Sequence, residues 1–91
     1  MTDGETTIRL RFSNDRSRTC TFSVEPWGDT YEMEPGETYD LVAVGPADSS
    51  LVEIVQSDST IAVYAWSGAV VSLFNGETEL GAGTGPREAA P

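Results

Sequence analysis

The chain has 91 residues, 15 acidic against five basic, with no histidine and a formal net charge of −10 at pH 7. That length is one domain with a small core, burying roughly 60–65% of the surface its unfolded chain exposes. The charge argues against a nucleic-acid backbone or an anionic membrane surface as partner, and no apolar run approaches the ~18 residues of a membrane-spanning helix.

The charge is unevenly spread. Residues 1–18 carry four of the five arginines (Arg9, Arg11, Arg16, Arg18) against Asp3, Glu5 and Asp15, whereas residues 19–86 carry eleven carboxylates and no basic residue. A basic partner, a highly saline cytoplasm or genome base composition would each account for this. Met1 is followed by Thr-Asp-Gly-Glu-Thr-Thr, neither basic nor apolar, so no secretory signal is expected. Cys20 is the single cysteine and has no partner for an internal disulfide. The expected setting is a reducing cytoplasm.

Taken in order, residues 7–12 alternate, with Ile8, Leu10 and Phe12 on one face and Arg9 and Arg11 on the other, the pattern of a half-buried strand. After a polar turn at 13–18, residues 19–25 alternate again, with Cys20, Phe22 and Val24 inward and Thr21, Ser23 and Glu25 outward. These two strands are expected to form an antiparallel hairpin. Pro26-Trp27-Gly28-Asp29 interrupts the second, because proline cannot donate to a ladder. A short strand over 30–34 places Tyr31 and Met33 opposite Glu32 and Glu34. Pro35-Gly36 suits the centre of a type II turn. Residues 37–44 form a strand whose inward face the pattern leaves open, Tyr39, Leu41 and Ala43 opposing Asp40, Val42 and Val44.

A loop at 45–50 leads to a strand over 51–56. Residues 60–74 are uncharged, rich in β-branched and aromatic side chains, and centred on Ser67-Gly68, a two-residue turn signal. They are read as the central hairpin. Ile61, Val63 and Ala65 form one stripe, taken as core; Ala62, Tyr64 and Trp66 form the other, which needs a cover. Asn75-Gly76 signals a last hairpin into 77–80. Residues 81–91, rich in Gly, Ala and Pro, are expected to be a disordered tail. Seven to eight short strands with turn signals every 8–12 residues predict an all-β, antiparallel β-sandwich or small barrel over residues 1–80.

Glu34-Pro35-Gly36-Glu37 resembles the turn common in cupredoxin-like and immunoglobulin-like sandwiches. Arg11-Phe12-Ser13-Asn14 and Glu25-Pro26-Trp27-Gly28 are similar to stretches of small bacterial β-sandwich proteins. The resemblance spans about residues 7–80. It implies an architecture and no activity: a cupredoxin copper site takes two histidines and a cysteine, and this chain has no histidine.

The usual catalytic bases are missing, since a serine or cysteine nucleophile relies on histidine or lysine nearby and the chain has neither. Cys20 lies in phase with Phe22 and Val24 and reads as a small buried hydrophobe. The carboxylates between Glu25 and Asp40 read as a solvated acidic face, because alternate strand residues stand about 6.5–7 Å apart in solvent. The loops around Asp29 and Asp48 lack the spaced pattern of a calcium loop. No cofactor and no metal is expected. The chain reads as a small acidic, non-enzymatic β-sandwich that binds a protein partner, a basic one suiting its charge, or associates with itself. The second reading is an inhibitor or immunity-type protein whose acidic surface mimics nucleic acid and occupies a basic cleft. The residues expected to carry partner binding are Trp27, Tyr31, Glu32, Glu34, Tyr64 and Trp66.

Overall fold

The computed structural model describes residues 4–81. Eight strands follow from the alternating segments: β1 (Glu5–Ser13), β2 (Cys20–Glu25), β3 (Asp29–Met33), β4 (Thr38–Pro46), β5 (Glu53–Gln56), β6 (Thr60–Tyr64), β7 (Val70–Asn75) and β8 (Thr78–Gly81). A single 3-10 turn, Ala47–Ser49, joins β4 to the segment before β5. The strands form two four-stranded sheets, ordered β1-β4-β7-β8 and β3-β2-β6-β5. The fold is a β-sandwich and not a closed barrel. The expected tail over 81–91 lies outside the described residues except for Gly81, the last residue of β8.

The inward positions of both sheets meet in one core: Cys20, Phe22, Val24 and Met33 from one sheet face Tyr39, Leu41, Ala43, Val71 and Leu73 from the other. Phe22 is the hub, making edge-to-face contacts with Phe12 and Tyr39 at centroid separations of 5.0 and 5.3 Å. The open question over β4 is thereby settled: Tyr39, Leu41 and Ala43 point in. Ser23 points outward as expected yet is buried, because β2 runs through the middle of its sheet and Ser23 Oγ is turned onto Glu25.

Three local hairpins form, β2–β3, β5–β6 and β7–β8. The last is led by Gly76, whose φ of +63° sits at the first turn position, with Asn75 still in β7. The turn is therefore a Gly-led one and not an Asn-Gly one. At Pro35-Gly36 the Glu37 N–H donates to Glu34 O at 3.0 Å and Gly36 has φ +87°, as a type II turn requires.

Two expected hairpins are overturned. β1 does not pair with β2; it pairs with β4, while β2 pairs with β3 and β6. Two strands with one apolar face each can bury those faces side by side in a sheet or face to face across a core. Alternation is the same in both cases. The 60–74 segment is likewise not a hairpin. Ser67-Gly68 does turn tightly, with Ala69 N–H donating to Trp66 O at 3.0 Å. The chain then passes to the opposite sheet, because both edges of β6 are occupied by β2 and β5 and β7 lies between β4 and β8. Nor is the sandwich wholly antiparallel: β2 and β6 run parallel, from Thr21 beside Thr60 to Glu25 beside Tyr64. Among the described residues, no helix is long and apolar enough to cross a membrane.

Candidate partner-binding face

The outward positions of β3-β2-β6-β5 are set by register. From β2 they are Thr21, Ser23 and Glu25; from β6, Thr60, Ala62 and Tyr64; from β5, Glu53 and Val55; from β3, Thr30 and Glu32. No basic residue stands among them. The opposite sheet's outer face is mixed: there Arg11 grips Asp40 with two bonds, Nε at 2.7 Å and Nη2 at 3.1 Å. That pairing holds the Asp40 carboxyl below the ordinary carboxylate range, chiefly through the hydrogen bonds from Arg11.

Tyr64 is the aromatic of the acidic face. It is 40% exposed. Glu53 stands directly across from it on β5 and Glu25 beside it on β2. With strands about 4.8 Å apart, Glu25 and Glu53 leave the backbone on either side of Tyr64, about 10 Å from each other. Val55 lies one step along, opposite Ala62, and is also exposed. This combination offers a ring face for a cation, carboxylates for its N–H groups and an apolar strip for its stem.

The other end of the face is ordered by hydroxyls. Thr19 Oγ1 donates to Glu34 Oε1 at 2.9 Å, and Thr21 Oγ1 to Glu32 Oε2 at 3.4 Å. Glu34 and Glu32 are both exposed. Glu37, close by in sequence, is structural: its carboxylate accepts from Glu34 N–H at 2.8 Å and from Asn75 Nδ2 at 2.9 Å.

Of the six residues expected to carry partner binding, Glu32, Glu34 and Tyr64 are on this surface. Trp27 sits half-buried in the turn after β2 and packs against the core. It lines a shallow cleft with Pro26, Ala65 and Trp66. Tyr31 points inward from β3 and packs against the core as well. Trp66 does not share a face with Tyr64. β6 ends at Tyr64, so the alternation lapses, and Trp66 folds inward to 7% exposure with Nε1 donating to Pro46 O at 2.9 Å. The stripe of Ile61 and Val63 is the core stripe, as expected.

Glu25, Glu53 and Val55 complete the surroundings of Tyr64, and sequence reasoning did not single out that grouping. Glu53 was reachable from the β5–β6 hairpin. Glu25 was not, since its place beside Tyr64 depends on the parallel β2–β6 pairing. Among the described residues, no three of the histidine, cysteine, aspartate and glutamate side chains come together to hold a metal ion. Comparison with known proteins returned no matching family model, no matching curated protein and no matching solved structure.

Proposed function

We propose that this chain is a non-enzymatic protein-binding module whose acidic sheet face receives a basic segment of its partner, with Tyr64 as the anchor. The observation that carries this reading is the flanking of a half-exposed tyrosine by Glu25 and Glu53 on a face with no basic residue among its register-defined outward positions. An arginine or lysine laid along β6 stacks on the ring and meets a carboxylate on either side. A reducing cytoplasm suits the free, buried Cys20.

The second reading, mimicry of nucleic acid, asks for two parallel rows of carboxylates. Glu32 and Glu34 follow the β3 edge, whereas Glu25 and Glu53 lie across the strands, so the rows are crossed. This favours the first reading. The test is a pull-down from source lysate with mass spectrometry, comparing the wild type with Tyr64→Ala/Glu53→Lys. A basic partner held by the wild type and lost by the variant supports the module. Retention by both overturns it. A nucleic-acid enzyme inhibited by the wild type, with inhibition lost on charge reversal at Glu32 and Glu34, supports the mimic instead.

A further inference from the structure

Every open sheet has two edges, and an exposed edge is a template for another strand unless something blunts it. Three of the four edges here are blunted. β5 and β8 have four residues each and β3 has five, and β8 is further disturbed by a register shift between Leu73 and Phe74. β1 is different. It runs nine residues in unbroken register with β4, contains no proline or glycine, and points no charge into the core.

The hydrogen-bond parity of β1 shows which groups point away from β4. Asn14 N–H donates to Glu37 O and Gly4 O accepts from Ala47 N–H, so the even-numbered residues face β4. The N–H and C=O groups of Glu5, Thr7, Arg9, Arg11 and Ser13 therefore point away from the sheet. The side chains of these same residues lie on its outer face, where Glu5 and Arg9 are exposed. Among the described residues, neither Glu5 nor Arg9 has an ion-pair partner. Four positions apart on one strand face, they stand about 13 Å from each other and cannot pair within one chain.

We infer that β1 is the site of an isologous dimer, in which a second copy of this chain adds its own β1 antiparallel with Thr7 on the two-fold axis. In that register Thr7 meets Thr7 of the copy, and Glu5 of each chain lies opposite Arg9 of the other. These two charges, without an ion-pair partner among the described residues, are thus matched twice, and every outward backbone group between residues 5 and 9 finds a partner. Two merged sheets give one continuous eight-stranded sheet. Placing Arg9 on the axis instead would set like charges directly opposite, which is unfavourable. The edge also lies in the 1–18 segment, which carries four of the five arginines, and so is where two acidic chains repel least. This inference is independent of the acidic face, which lies on the other sheet.

Analytical ultracentrifugation of the full chain tests it. The wild type is expected to dimerise. Thr7→Pro removes an outward N–H without touching the β4 ladder, as proline is tolerated on an edge, and is expected to give a folded monomer. Glu5→Arg alone and Arg9→Glu alone are expected to weaken the dimer by roughly tenfold. The double swap E5R/R9E is expected to restore it. A wild type that stays monomeric, a dimer unaffected by Thr7→Pro, or a double swap that fails to recover association would each overturn the inference. The charge-swap series stands even where Thr7→Pro does not fold.

Discussion

The side-chain amide of Asn14 donates to the carbonyl oxygen of Met33 at 2.9 Å, tying the end of β1 to the end of β3 in the opposite sheet. The same amide donates to Arg18 O at 3.0 Å, and its Oδ1 accepts from Arg16 N–H at 3.0 Å. Asn14 is 2% exposed. It therefore satisfies the buried carbonyl of Met33 and two partly buried backbone groups of the 14–18 turn, and it fixes the crossing from β1 to β2. Asn14→Ala is expected to cost about 2–4 kcal/mol in chemical denaturation, because it leaves those groups unpaired. Asn14→Asp keeps the acceptor but loses both donors, so it should be comparably destabilising.

Trp66 and Tyr64 give opposite expectations. Trp66 is buried with its indole N–H on Pro46 O, so Trp66→Ala should cost about 3–5 kcal/mol in the isolated chain. Tyr64→Ala removes an outward ring and should cost less than about 1 kcal/mol while abolishing capture of a basic partner. Equal losses of stability in the two variants would contradict the placement of β6.

Gly45 is where Trp66 and Ala69 close over β4. A Cβ there would lie 2.8 Å from Ala69 Cα and 3.1 Å from Trp66 Nε1. Gly45→Ala is expected to lower stability by about 1–3 kcal/mol, since the backbone of the crossing would have to move. Thermal unfolding of this variant beside Gly28→Ala separates contact from conformation, because nothing lies within 4 Å of a Cβ at Gly28.

Tyr39 has its phenol raised above the ordinary value of 10.0, first by burial and then by the nearby Glu37, Glu32 and Glu34. A raised folded pKa means the native state holds the proton more tightly than the unfolded chain does. Its stabilising contribution is complete below pH 10 and is lost as pH rises through the folded value. Denaturation midpoints should thus be insensitive to this group up to pH 10 and fall beyond it. Tyr39→Phe should flatten that alkaline fall. At neutral pH it should cost about 1 kcal/mol, from the lost hydrogen bond to Glu32 O.

The eleven carboxylates of residues 19–86 repel one another in the compact state. Raising sodium chloride shortens the Debye length from ~30 Å at 0.01 M to ~3 Å at 1 M. The melting temperature should rise with salt, and differential scanning calorimetry across that range checks it. A flat or falling curve would mean that the carboxylates are too well separated or hydrated to interact.

The strands of this protein were legible in its sequence because each inward–outward alternation is a local property. Ile8-Leu10-Phe12, Cys20-Phe22-Val24 and Ile61-Val63 all point where their period places them, and the sandwich class follows from strand number and spacing. Which strand lies beside which was not legible. An apolar stripe is buried equally well by a sheet neighbour or by the facing sheet, so Ser67-Gly68 looked like a hairpin and is a crossing. Trp66 escaped the pattern because β6 ends two residues earlier and the chain rotates on leaving the ladder. Pairing is decided by long-range competition for strand edges and by buried anchors such as Asn14, whose amide N–H groups reach as far as Met33 O, 19 residues away in the chain. The surroundings of Tyr64 belong to that second kind of information: its own half-exposure was foreseeable, but Glu25 reaches its side only through a parallel pairing that no local pattern encodes.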